Sequence, residues 1–150
     1  MKTVHRGYRR AMDEDRRISL EVPCDTGAPK VVRDALRAAH DGGWSLADGL
    51  LIASELITNA VTHSGCHGAD QLHVEIERDP ECLRISVEDP GLSEQDAELQ
   101  HGERSGPGGW GLQIIEQLSA QWGTERPDGY RVWAELAAER PNPASDGPRR

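Results

Sequence analysis

Residues 45–63 read SLADGLLIASELITNAVTH, and this stretch decides the fold. Leu46, Leu50, Ala53, Ile57 and Ala60 recur at steps of four, three, four and three, which draws one apolar stripe along an α-helix. Ser45 supplies an oxygen where an N-cap is needed, so the spacing predicts a helix from Ser45 to about His63. Glu55 and Asn59, four residues apart, project from one side of it, one turn above the other. At about 100° per residue they point almost opposite the stripe, away from the main core. Such a pair is either a solvated helix face or a metal and water site, where an amide oxygen ligates Mg²⁺ and a carboxylate orients or deprotonates a nucleophile.

Upstream, Ile18, Leu20 and Val22 alternate as a strand closed by Pro23. Val31, Val32, Ala35, Leu36 and Ala39 then mark a helix that Asp41-Gly42-Gly43 ends. Downstream, Leu72, Val74 and Ile76 alternate, Asp79-Pro80-Glu81 turns the chain, and Leu83, Ile85 and Val87 alternate again, an antiparallel hairpin with one apolar face. Residues 91–107 are polar and lack a period, so they read as a long loop of the kind that serves as a lid. Leu112, Ile115, Leu118 and Trp122 mark a third helix with Gly123 placed to cap it, and Tyr130, Val132, Ala134 and Leu136 a last strand. Four strands and three helices predict a two-layer α/β sandwich, with helices on one face of a mixed, mostly antiparallel sheet.

The whole chain of 150 residues, 36% hydrophobic and 29% charged, suits one domain, expected over residues 17–137. Residues 1–16 read as a flexible basic arm, and 138–150, with three of the nine prolines, as a disordered tail. No apolar run approaches the ~20 residues that span a bilayer, and the N-terminus lacks the apolar stretch of a secretory signal. A cytoplasmic protein without a membrane partner is expected. The net charge of −9 is uneven: residues 1–17 carry +3 and 138–150 carry +1, leaving −13 on the body. A field of that sign repels phosphate backbones and argues against DNA or RNA as a direct partner. Cys24, Cys66 and Cys82 are odd in number and form no CxxC pair, which fits a reducing compartment and three packed or idle thiols. His63, Cys66, His67 and His73 crowd one stretch, but their spacing matches no structural zinc pattern and the histidines read as surface loop residues.

Two further stretches carry chemistry. Asp89-Pro90-Gly91 ends a strand, where a carboxylate can accept from an exocyclic amine and a glycine lets a flat ring approach the backbone; alone, it is also an ordinary turn. Residues 105–112, SGPGGWGL, set four glycines directly before a helix, where bare N–H groups favour phosphate oxygens. Residues 106–111 satisfy G-x-G-x-x-G, yet no hydrophobic strand precedes them, so a dinucleotide fold is excluded. Lys2 and Lys30 are the only lysines and neither follows a glycine-rich loop, which excludes a Walker A site, and the protein-kinase motif set is absent.

Taken in order, Glu55-Leu56-Ile57-Thr58-Asn59-Ala60, Asp89-Pro90-Gly91 and Gly108-Gly109-Trp110-Gly111-Leu112 resemble the three boxes of the nucleotide site shared by gyrase, histidine-kinase and MutL ATPase domains, the Bergerat (GHKL) fold. Within that superfamily SELITNAVTHSG, VEDPG, GGWGLQIIEQLSAQWG and RVWAEL look most like the small anti-sigma-factor serine/threonine kinases. The resemblance implies ATP and Mg²⁺ as cofactors, with Asn59 holding the metal against the phosphates and Glu55 activating the attacking hydroxyl. It implies that Asp89 accepts from the adenine amine while Gly91, Gly106, Gly108, Gly109, Gly111 and Leu112 shape the pocket and lid. Arg104, the only arginine of the lid, either contacts the γ-phosphate or is a solvated loop residue. The family often has a further glycine soon after the aspartate box, where Leu92-Ser93 stand here, so lid closure is expected to differ. Implied partners are a sigma factor and a small antagonist protein that receives the phosphate, with a homodimer as the implied assembly. The competing expectation is a regulator that binds nucleotide and sequesters its partner without phosphoryl transfer. A complete sensor histidine kinase or gyrase-type machine is not expected, since each needs a further helical or transducer segment.

Overall fold

The computed structural model describes residues 17–91, 111–126 and 128–139. Its strands are β1 (Arg17–Pro23), β2 (Gln71–Arg78), β3 (Cys82–Asp89), β4 (Gln121–Glu125) and β5 (Tyr130–Ala137), and its helices α1 (Ala28–Ala39), α2 (Leu46–His63) and α3 (Gly111–Leu118). The strands form one sheet in the order β1-β2-β3-β5-β4, and every neighbouring pair is antiparallel. The expected α/β sandwich is therefore present, with the helices on one face of a wholly antiparallel sheet. The basic arm 1–16 and nearly all of the tail 138–150 lie outside the described residues.

Period-2 alternation builds the inner face. Leu72, Val74 and Ile76 of β2 and Leu83, Ile85 and Val87 of β3 are buried together with Ala134 and Leu136 of β5. Helix α2 lies on that face and packs on both α1 and α3. Ser45 caps it as expected, its Oγ accepting the Asp48 N–H at 3.3 Å. At the end of α1, Gly42 and Gly43 take φ of +90° and +81°, which frees the chain to turn into α2. The β2–β3 turn is held by Asp79, whose Oδ1 accepts the Glu81 and Cys82 N–H groups at 2.7 and 2.8 Å.

Four expectations need correction. Val31 is 48% exposed, because the core-facing line of α1 is Ala28, Val32 and Leu36. Helix α3 stops at Leu118, so Trp122 belongs to a fifth strand, and Gly123 does not cap the helix. The Ser119 hydroxyl donates back to the Ile115 carbonyl and the Ala120 N–H to the Glu135 carbonyl, which turns the chain into β4. Gly123 is there because Trp133 lies across it: a Cβ would sit 2.8 Å from the indole. Third, the buried face of α2 is wider than one stripe, taking in Gly49, Ile52 and Leu56 beside Ala53 and Ile57. Last, Cys24 and Cys66 are not idle thiols but a disulfide with Cα atoms 6.1 Å apart, and Cys82 alone is free. That bond spans 42 residues, encloses both α1 and α2, and removes on the order of 4 kcal/mol of unfolded-chain entropy.

Trp44, which the sequence pattern did not single out, is 2% exposed just before α2 and meets His40 edge-on at 4.6 Å between centroids. Its benzo edge explains a glycine inside a helix: a Cβ at Gly49 would lie 2.5 Å from the ring. Gly49→Ala gains helix propensity but overpacks Trp44, and a net loss of about 1–3 kcal/mol is expected in urea unfolding. A more stable Gly49→Ala protein would show that Trp44 does not hold that position.

Candidate functional site

The two ends of the sandwich are chemically different, and the strand directions say which residues share an end. Helix α2 starts at the end carrying the β2–β3 turn, where Trp44 borders a cavity with Ile76, Arg78 and Leu83. It finishes at the far end, where Cys66 is bonded to Cys24 just beyond β1 and Asp70 accepts the Cys24 N–H at 3.0 Å. Strand β3 runs the same way, from Leu83 beside Arg78 to Asp89 beside Tyr130. Asn59, one turn before the end of α2, and Asp89 therefore lie at the same end, with Glu55 one turn further back. Strand β4 also runs toward that end, from Gln121 beside Glu135 to Glu125 beside Arg131. Helix α3, joined to the start of β4 by only Ser119 and Ala120, returns its Gly111 terminus in the far end's direction.

Asp89 is the buried charge of this end, only 7% exposed on the inner face. Burial pushes its carboxyl above the usual carboxylate value, while the Gly91 N–H and the charge of Arg126 work against that rise. The Gly91 N–H donates to Asp89 Oδ1 at 2.6 Å. Gly91 has φ +72°, a conformation that disfavours a side chain, and its Cβ would lie 3.2 Å from Gly129 Cα. A Cβ on Gly129 would collide with the Asp89 carbonyl oxygen, so the start of the β5 hairpin clasps the Asp89-Pro90-Gly91 turn backbone to backbone. Arg126 stacks on Tyr130 at 5.0 Å beside it. Gly129 and Arg126 escaped the sequence reading, and Tyr130 was read only as a strand residue, because only the pairing of Asp89 with Tyr130 brings them to the turn.

Glu55 and Asn59 are both half-buried; Glu55 points away from the core as expected, whereas Asn59 stands closer to its edge. With Ile52 and Leu56 added to the buried face, Asn59 stands about 90° from its centre and Glu55 farther round. Neither makes a side-chain hydrogen bond or ion pair among the described residues. Leu112 is half-buried in the first turn of α3, and Gly111 opens that helix. Arg104, Gly106, Gly108 and Gly109 lie outside the described residues. The four clustered donors do not converge: Cys66 is spent on Cys24, and His73 sits on the outer sheet face between Glu21 and Glu75 at 2.6 and 3.1 Å. The cavity at the opposite end, about 330 Å³ with Ile18 and Pro80 also in its wall, shares no residue with the three boxes.

A hard-oxygen donor set suits Mg²⁺, which keeps several waters and takes one or two protein ligands beside phosphate oxygens. The unengaged Asn59 amide fits that role, and the side-chain-free approach at Gly91 fits a flat base against the backbone.

Residues 25–135 match the histidine kinase-like ATPase domain. The chain belongs to that family. Its fold is thus an ATP-binding one, and the matched range contains α2, the Asp89 turn and α3. Among solved structures it is similar to the RsbU and RsbW domains of Rv1364c from Mycobacterium tuberculosis, with 21% identity and a TM-score of 0.58. That likeness covers 83% of this chain and 33% of the other, so the chain spans about a third of the length of that protein. No curated protein matches the chain. No helix among the described residues is long and apolar enough to cross a membrane.

Within this ATPase-family fold, Asp89 costs stability where it is charged. Because its folded-state value is raised, the native chain binds the extra proton between the ordinary 3.8 and that raised value, and stability falls as pH climbs through this window. Asp89→Asn keeps an acceptor for the Gly91 N–H and removes the charge. Its melting temperature is expected to equal or exceed wild type at neutral pH, with the gap closing as pH drops below 3.8. A variant that melts lower across the whole range would contradict this.

Proposed function

We propose that the protein binds Mg-ATP at the Asn59–Asp89 end and is an anti-sigma regulator that phosphorylates a serine or threonine of a small antagonist protein. The observation that carries the reading is the shared end: a half-buried, unengaged acid and amide on α2, a buried aspartate at the end of β3, and the glycine-opened start of α3. Family membership and the fold likeness to the RsbW-containing protein support it.

In this reading the Asp89 carboxylate accepts from the exocyclic amine of adenine, and the backbone at Gly91 lets the ring lie close. The first N–H groups of α3, with Gly106, Gly108, Gly109 and Gly111 before and at its start, face the phosphate oxygens, and Leu112 packs behind them. Arg104 adds a cation at the γ-phosphate. The Asn59 amide oxygen would hold Mg²⁺, which when bound would supply neutralisation of the phosphate charge. Glu55 takes the hydrogen bond of the incoming hydroxyl, orients it in line and removes its proton as the phosphoryl group moves across. Phosphoryl transfer asks for positioning and charge neutralisation more than covalent help, and one acid, one amide and a glycine-rich closure supply that. The acceptor protein, a sigma factor as the second partner, a cytoplasmic setting and a homodimer belong to the same proposal.

The test uses labelled ATP with candidate antagonist proteins and calorimetry on the full chain. Asp89→Asn is expected to weaken Mg-ATP binding at least about tenfold, the scale of a lost buried hydrogen bond to a charged group. Glu55→Gln is expected to bind Mg-ATP within about twofold of wild type while transfer falls by about 10²-fold or more. Transfer at the wild-type rate by Glu55→Gln would remove the proposed base. Tight Mg-ATP binding without transfer to any acceptor would favour the sequestering regulator, and no heat from ATP or ADP would sink both.

A further inference from the structure

The Cys24–Cys66 bond ties the segment after α2 to the end of β1, at the same end of the sandwich as Asn59 and Asp89 and outside the three boxes. Cys24 follows β1 directly, and Cys66 lies three residues beyond α2, seven beyond Asn59. Apart from this bond, the segment between α2 and β2 is lightly held. The Ser64 N–H donates to the Ala60 carbonyl at 3.2 Å, the Cys24 N–H to Asp70 at 3.0 Å, and the other backbone contacts join His67 to Asp70 inside the loop. Gly65 takes φ +73°, and Gly65, His67, Gly68 and Ala69 are exposed. Cys24 and Cys66 are themselves members of the buried apolar cluster, at 4% and 7% exposure, while most of that cluster comes from the sheet and the helices.

The sulfur also has a dedicated neighbour. Ser64 is 4% exposed, its hydroxyl donates to Cys66 Sγ at 2.8 Å, and it accepts the Cys66 N–H at 3.2 Å. A buried hydroxyl that donates to sulfur stabilises the thiolate, the form that attacks and leaves in thiol–disulfide chemistry. Cys82 does not compete. It sits at the opposite end, and burial together with Asp79 pushes its thiol up to about 12, so it stays protonated.

We propose that Cys24 and Cys66 form a reversible thiol–disulfide site whose state sets the order of the last turn of α2 and, through Asn59, the hold on the nucleotide. The second half rests on the functional reading above. Hydrogen peroxide is the oxidant: one thiolate attacks a peroxide oxygen, giving a sulfenic acid and a hydroxide that takes up a proton and leaves as water, and the other thiol displaces the second water as the S–S bond forms. The two sulfurs lose two electrons, and hydrogen peroxide gains them as two waters. A dithiol reverses the step by exchange, returning two electrons and two protons and leaving as its own cyclic disulfide.

The experiment compares the full-length protein after hydrogen peroxide and after dithiothreitol, so the decisive comparison needs no variant. Alkylation in denaturant is expected to find one reactive thiol, Cys82, in the first state and all three in the second. Hydrogen exchange at the amides of residues 60–70 is expected to be about tenfold slower with the bond formed, while β2 and β3 are unchanged. Mg-ATP is expected to bind about threefold more tightly to the oxidised protein. Cys24→Ser and Cys66→Ser should match the reduced protein and ignore peroxide, and Ser64→Ala should slow reduction without preventing the bond. Three alkylatable thiols after peroxide, or equal exchange in both states, overturns the site. Equal and measurable Mg-ATP affinity in the two states overturns the coupling. If exchange responds and neither state binds nucleotide, the redox site stands and the functional reading fails.

Discussion

Burial of one continuous apolar face, shared by α2 and the central strands, is the constraint on which the rest of the structure depends. Leu72, Val74, Leu83, Ile85 and Val87 belong to one buried cluster with Ile52, Ala53, Leu56 and Ile57, all with almost no exposure. At about 25 cal/mol per Å² of apolar surface removed from water, this is the term able to offset the entropy of ordering the chain. It also decides where polar chemistry can stand. A carboxylate in the middle of that face would be desolvated on every side, so the place for one is where the face runs out. Asp89 occupies that limit at the last residue of β3, inside the sandwich but with its Oδ1 answered by the Gly91 N–H. Asn59 and Glu55 occupy the matching limit on the flank of α2.

The opposite face of the sheet solves a different problem. Arg17 is paired with Glu75 and Glu77, Arg84 with Glu125 and Glu135, and Arg131 with Glu88 and Glu125. Arg84 also lies 4.1 Å over the Trp133 ring. Single exposed pairs of this kind contribute little to stability, yet as an alternating layer they keep the uncovered face soluble and discourage edge-to-edge association. His73 belongs to the same layer. Its hydrogen bond to Glu75, and then those to Glu21, raise its value above the ordinary 6.5, so its contribution is present in acid and lost as pH rises past that raised value.

What could be read from the sequence follows from which signals are local. The β2–β3 hairpin, the cap at Ser45 and the end of α1 at Gly42-Gly43 each depend on residues within one or two turns, and the structure agrees with all three. Strand β4 was hidden because Trp122 falls four residues after Leu118 and so continues the helical period; what stops α3 is the contact of Ala120 with Glu135, remote in sequence. Val31 misled because the buried line of α1 is narrow, Ala28, Val32 and Leu36, and the pattern alone does not say which of two adjacent valines lies on it. The disulfide is the clearest non-local case. Cys24 and Cys66 become neighbours only because β1 pairs with β2, bringing Pro23 opposite Gln71 and forcing the ends of the α1–α2 excursion together. The glycine at 129 was equally silent, since its reason is a carbonyl forty residues away. The order of the three boxes carried more than any of them did, because order and spacing encode the long-range arrangement that single motifs lack.

The acidic body sets the terms on which a triphosphate is held. With −13 on residues 18–137, a nucleotide approaches against an unfavourable long-range field, which salt screens over about 10 Å. Attraction must then be short-range. Near Asp89 two arginines are already engaged: Arg131 pairs with Glu88 at 2.6 Å, and Arg126 stacks on Tyr130 while its charge reaches Asp89. Short-range donors with no net charge suit this setting, and the first N–H groups of a helix are such donors, strong at contact and negligible at a distance. A divalent cation arriving with the phosphates cancels much of the remaining repulsion. Under the proposed function, this field disfavours a bare triphosphate relative to a compact, metal-neutralised one. The glycines ahead of α3 and the amide of Asn59 are the residue types such selection calls for.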